Sequence, residues 1–120
     1  MDRPFRTVRV FVKTAHATTD QTGPERAVED LSNWYENRVR RGGYGVVGVG
    51  VGEKGYLTVD RASYVIVLAR IEVFDIHAKF RISNVVVDVS ARTHDQPGEE
   101  EKAQVVALAE VVAKRLTSFD

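Results

Sequence analysis

Apolar and polar residues alternate over 7–14, where Val8, Val10 and Val12 fall on one side and Arg9, Phe11 and Lys13 on the other. Period-two alternation of this kind predicts a half-buried strand. A polar loop rich in Thr, Asp and Gly follows over 15–23. Thr22 and Glu25 then have capping-box spacing, and Pro24 suits a first helical turn, where its missing N–H has no intrahelical partner to lose. A helix is predicted over 24–41. Its apolar positions Ala27, Val28, Leu31, Trp34, Tyr35 and Val39 recur at three- and four-residue spacing, and Gly42-Gly43 ends it.

Alternation resumes over 44–52, with Val47, Val49 and Val51 facing one way and glycines the other, a nearly bare face against which a neighbour can pack closely. The β-branched run over 63–74 reads as one long central strand. The stretch over 78–91 is extended but slips phase at Ser83-Asn84, so either a tight turn sits there or a bulge does, in which case 75–77 is the hairpin tip. Glu99, Glu100 and Glu101 after Pro97-Gly98 open a last helix at its positive dipole end, Lys114 and Arg115 close it, and Val105, Leu108, Ala109, Val112 and Leu116 form its core stripe. The expected fold is α+β: an antiparallel sheet of four to five strands with two amphipathic helices packed on one face, in the order β-α-β-β-β-(β)-α, forming a single domain over 1–120.

Composition narrows the function classes. At 120 residues, 43% hydrophobic and 28% charged, the chain is long and apolar enough to fold as one globular unit without staples. Seventeen basic and seventeen acidic side chains cancel, so the broad positive field that drives nucleic-acid binding is missing, and no nucleic-acid partner is expected. No cysteine is present, which removes disulfides, thiol catalysis and cysteine-ligated metals. The first nine residues are charged and lack a signal-peptide core, and no apolar run approaches the roughly 20 residues a membrane-spanning helix needs. The chain reads equally as a domain excised from a longer protein.

Candidate chemistry is thin. The run Gly48-Val49-Gly50-Val51-Gly52 has phosphate-loop residues, but strand and not helix is expected to follow, so its glycines read as packing positions. His16, His77 and His94 fall in expected loops or turns without ligand-motif spacing, and read as surface residues; no metal site and no cofactor is expected. Asp75 and His77 form an i,i+2 pair without a sequence-adjacent nucleophile, and Glu72, Asp75 and Asp88 are carboxylates that only the fold can bring together. Arg38, Arg40 and Arg41 form a basic cluster at a helix end, where the dipole alone favours cations. Trp34 and Tyr35 are adjacent on the helix, so one is expected to face the sheet and the other to be partly exposed, at the edge of the core or lining a cleft.

Two segments carry a family resemblance. Gly50-Val51-Gly52-Glu53-Lys54-Gly55-Tyr56 resembles the Gly-x-Gly-Asp-x-Ala-Tyr segment of small extracytoplasmic domains in actinobacterial lipoproteins and receptor-kinase sensor domains. Phe80 to Val89, with Ser83-Asn84-Val85-Val86-Val87, resembles their Asn-Val-Val-Val hairpin, and a helix rich in Ala, Val and Leu follows in both. The likeness covers about 44–116. Lys54-Gly55 depart from the pattern, and the lipid-acceptor cysteine of the lipoproteins is not present. Gly52, Tyr56 and Asn84 match as turn and packing positions.

The resemblance implies a non-catalytic extracytoplasmic domain, sensor-like and lipoprotein-like, with a ligand cleft beside the sheet. The sequence itself leaves a cytoplasmic location open. The candidate ligand-binding residues are Tyr35, Arg38, Arg41 and Tyr56, with no catalytic residue assigned, and the expected partner is a small molecule, a cell-envelope component or a protein. Two alternatives stand beside this reading: an assembly module acting through a sheet edge or as a homo-oligomer, and a small enzyme whose carboxylates converge only in three dimensions.

Overall fold

The computed structural model describes residues 7–40 and 45–117. Its elements run β1 (Thr7–Thr14), α1 (Gly23–Arg40), β2 (Val46–Val49), β3 (Lys54–Ile66), β4 (Ala69–Ile82), β5 (Val85–Thr93) and α2 (Glu99–Thr117). The strands form one antiparallel sheet in the order β1-β5-β4-β3-β2. The α+β class, a strand number within the expected four to five and the element order agree with the sequence.

The placement of the helices is not. The α2 stripe packs on the sheet face carrying Leu57, Ile76, Ala78, Phe80, Val87, Val89 and Ala91, with Val105 and Ala109 fully buried and Leu108, Val112 and Leu116 packed around them. Ala27 of α1 packs instead with Val86 and Ala15. Val86 and Val87 are consecutive in β5, and consecutive strand side chains point to opposite faces. The helices therefore lie on opposite faces of the sheet, not both on one. Apolar periodicity shows that a helix has a buried side but does not say which sheet face receives it.

Local chemistry sets the element ends. At the start of α1 the Thr22 N–H donates to Glu25 Oε1 at 3.1 Å and the Glu25 N–H donates to Thr22 Oγ1 at 3.2 Å, the reciprocal capping box. These bonds hold the Glu25 carboxyl below its ordinary pKa. Asn84 ties three elements together: its carbonyl accepts from the Ala15 N–H at 2.7 Å and its Nδ2 donates to the Ala15 carbonyl at 3.1 Å, beside the start of α1 at Gly23. Ser83-Asn84 is the two-residue loop of the β4–β5 hairpin, with positive φ at Ser83, so the phase slip is a turn and 75–77 lies in mid-strand.

The run over 63–74 is not one strand. It holds a second hairpin, closed at the Ile66–Ala69 pair by the loop Val67-Leu68, with φ of 47° and 66°. Pairing of β3 to β2 stops at Thr58 and pairing of β4 to β5 stops at Phe74, so the pairs from Ala62–Val73 to Ile66–Ala69 form a two-stranded ribbon. At about 3.4 Å per residue it projects roughly 17 Å. The radius of gyration is 15.7 Å and the longest extent 52 Å, against about 13.6 Å expected for a compact domain of this length.

The glycine run is also more differentiated than a bare face. A Cβ at Gly48 or Gly50 meets nothing within 4 Å. At Gly52, where φ is +66°, it would lie 2.6 Å from the Arg81 carbonyl oxygen and 2.9 Å from the Phe80 ring, and at Gly55 2.8 Å from the Val51 carbonyl oxygen. Between Gly48 and Gly55, close packing therefore requires glycine at Gly52 and Gly55 and not at Gly48 or Gly50. The helix stop expected at Gly42-Gly43 lies outside the described residues.

Candidate functional site

Register builds the site on the sheet face beneath α1. Successive cross-strand rows there pair Tyr56 with Lys79 and Lys79 with Asp88, then Thr58 with His77 and His77 with Ser90, then Asp60 with Asp75 and Asp75 with Arg92. Polar side chains thus line the centre of a sheet whose other face is the main apolar core.

Each carboxylate in these rows has a charged partner. Asp75 accepts two hydrogen bonds from Arg92, at 2.8 Å from Nε and 3.1 Å from a terminal nitrogen, and Arg92 holds its carboxyl below the ordinary pKa while Asp75 pushes the guanidinium higher. Arg38, reaching from α1, forms an ion pair with Asp60. His77 Nδ1 lies 3.1 Å from Asp88 Oδ1, and its Nε2 lies 3.4 Å from Asp60 Oδ2. Burial alone pushes the imidazole pKa down, but the Asp88 hydrogen bond and the charges of Asp88 and Asp60 outweigh it and leave His77 raised.

His77 is consequently not the surface turn residue that the sequence suggested. It sits in the middle of β4 with only a fifth of its side chain exposed. Both ring nitrogens point at carboxylates, so its geometry is that of a clamped cation and not of a base turned toward the neighbouring Ser90. The two carboxylates approach opposite nitrogens of the ring. Among the described residues no group of three or more His, Asp or Glu side chains is arranged to hold a metal ion.

An aromatic cluster adjoins these rows. Tyr35 stacks on Tyr56 with ring centroids 4.5 Å apart and planes at 23°, and Trp34 meets the same Tyr56 at 6.2 Å, tilted by 40°. The two adjacent helical aromatics do not diverge as expected, because Tyr56 stands where both reach it. Cations cover the cluster: Arg38 lies 5.5 Å and Lys79 5.0 Å from the Trp34 centroid, and Lys54 lies 5.6 Å from that of Tyr56. Burial pushes the Lys79 ammonium below its ordinary pKa.

The structure thus brings Tyr35, Arg38 and Tyr56 together, while Arg41 lies outside the described residues. Beside them runs an open groove of about 320 Å³ lined by Val28, Leu31, Ser32, Glu53, Lys54, Tyr56 and Arg81. Its rim is pinned by Glu53, whose Oε2 accepts from Arg81 at 2.7 Å and from the Ser83 N–H at 2.7 Å. A smaller polar pocket of about 80 Å³ lies between Arg9, Asp75, His77, Ser90 and Arg92. Lys54, Asp60, His77, Lys79 and Asp88 belong to the site but were not grouped from sequence, since only the strand register shows that they adjoin.

Comparison of the chain with protein-family models, with curated proteins and with solved structures finds no match to any of them.

Proposed function

We propose that this chain is a non-catalytic ligand-binding domain that takes a small molecule in the groove between α1 and the β3–β4 hairpin. The observation that carries this reading is the stacking of Tyr35 on Tyr56 at the wall of an open groove. The floor is aliphatic, from Val28 and Leu31, the wall aromatic, and the exposed ammonium of Lys54 lies over Tyr56. Such a lining suits a ligand with a flat or apolar body and an anionic group. The segments that resemble extracytoplasmic sensor domains support the same reading, and with it a location outside the membrane.

The test is a thermal-shift screen of aromatic carboxylates, cell-wall fragments and lipid-derived acids. A saturable rise in melting temperature that Tyr56→Ala and Lys54→Glu each remove supports the reading, because a ligand that binds the folded state must stabilise it. No rise across the set, or a rise indifferent to both substitutions, refutes it.

A second reading, assembly through a sheet edge, is favoured by β1. This strand ends the sheet order, its Val8, Val10 and Val12 are each about half exposed, and Phe11 is 68% exposed on the other face. Antiparallel pairing with a second copy about Val10 sets Val8 against Val12 and Arg9 against Phe11, joining both valine rows and placing a cation by each ring without opposing like charges. Sedimentation velocity tests it: a concentration-dependent dimer abolished by Val10→Lys supports it, and a monomer at all concentrations refutes it.

A further inference from the structure

The apex of the β3–β4 ribbon breaks the usual rules of its own turn. A two-residue hairpin loop with positive φ at both positions ordinarily takes Asn-Gly, because bulky L side chains, and β-branched ones above all, are disfavoured there. This chain has Val67 and Leu68, and they are 91% and 99% exposed. Both the backbone conformation and the exposure disfavour these residues in water, so a gain made elsewhere has to offset them.

The ribbon below the apex is two-sided. By register, Ala62, Tyr64, Ile66, Ala69, Ile71 and Val73 share one face, while Arg61, Ser63, Arg70 and Glu72 lie on the other, with Val65 and Phe74. From Val65 to Ala69 no side chain carries a polar atom. Tyr64 and Arg70 stand immediately below this cap, and Arg92 lies 5.8 Å from the Tyr64 ring. Glu72 forms an ion pair with Arg61 at the base of the ribbon, which leaves the Arg70 guanidinium as the charge beside the cap.

We propose that this hairpin is a membrane-docking finger that inserts its Val65–Ala69 cap into the interface of a bilayer containing anionic lipid. Arg70 lies two residues from Leu68, about 7 Å along the strand. That matches the roughly 5–10 Å to which interfacial segments bury, and places the guanidinium among phosphates and the tyrosine in the headgroup belt. Shallow insertion also leaves the unpaired outer edges of the ribbon in contact with water and headgroups, which a deeper position would not. A protein pocket fits the cap less well, since interface hot spots favour Trp, Tyr and Arg over Val and Leu, and an all-aliphatic cap offers no hydrogen bond for specificity.

The experiment is co-sedimentation of the full chain with vesicles of phosphatidylcholine alone and of phosphatidylcholine with phosphatidylserine. The wild-type chain is expected to partition onto the mixed vesicles, and more weakly onto phosphatidylcholine. The double substitution Val67→Asn/Leu68→Gly, which supplies the residues the turn favours and keeps the hairpin, lowers partitioning at least tenfold. Arg70→Glu weakens binding to the anionic vesicles selectively. Wild-type protein that stays in the supernatant at every lipid concentration overturns the proposal, as does binding that the double substitution leaves unchanged. Self-association lost on the same substitution, without vesicle binding, assigns the cap to a second copy and equally overturns it. None of these outcomes depends on the α1 groove.

Discussion

His77 and Asp88 meet diagonally across β4 and β5: the Cα partner of His77 is Ser90, and the carboxylate two residues away reaches back to Nδ1 at 3.1 Å. Since the folded-state pKa of His77 is raised above its ordinary 6.5, the stabilisation from this contact is fully present below about pH 6.5. It is lost as pH rises through the folded-state value. Melting temperatures recorded across pH 5–9 should fall faster toward the alkaline end for the wild type than for His77→Gln. An NMR titration of the imidazole should place its midpoint above 6.5; a midpoint below that value refutes the assignment.

Asp75 and Arg92 act at the opposite end of the pH range. Arg92 holds the Asp75 carboxyl below its ordinary 3.8, so the contribution is present above that value and disappears as pH falls through the folded-state pKa. Arg92→Met should cost about 1–2 kcal/mol near neutrality by leaving a partly buried carboxylate without its charged donor. In urea melts the gap between wild type and variant should close as the pH is taken progressively below 3.8.

The glycine run supplies a sharp contrast. Gly52→Ala would force a side chain onto a positive φ and into the Arg81 carbonyl oxygen at 2.6 Å. A loss of about 2 kcal/mol or more is expected. Gly48→Ala meets no atom within 4 Å and should leave stability within about 0.5 kcal/mol of wild type. Chemical denaturation of the two variants decides it.

Replacing Val67-Leu68 by Asn-Gly should raise stability by about 1–2 kcal/mol, since it relieves two unfavourable backbone positions without touching the core. Calorimetry would show a higher melting temperature, and an unchanged or lower one would mean that the turn is not strained.

What could be read from the sequence was what depends on near neighbours. The capping box of Thr22 and Glu25 and the stripe from Val105 to Leu116 are set by spacing within one helix, and both form as expected. The hairpin at Val67-Leu68 was hidden because neither residue carries turn chemistry, so 63–74 reads as uninterrupted strand. His77 was misplaced because polar residues between apolar runs imitate a loop. The aromatic part of the site was partly legible, in that Tyr35, Arg38 and Tyr56 do converge. The charged rows were not, because Asp60, His77 and Asp88 adjoin only after three strands have taken their register, which no single segment encodes.

The pairing of β1 with β5 has a bearing on how the chain emerges from the ribosome. Thr14 pairs with Val85, so the first strand waits about 70 residues for its partner. At common elongation rates that is roughly 4 to 14 s. Through that interval Val8, Val10, Phe11 and Val12 have no sheet to join, whereas β3, β4 and β5 close in sequence as a meander of local hairpins. Nascent chains stalled before residue 85 should therefore be the ones a chaperone holds, with release following once β5 clears the exit tunnel and β1 can add to the sheet.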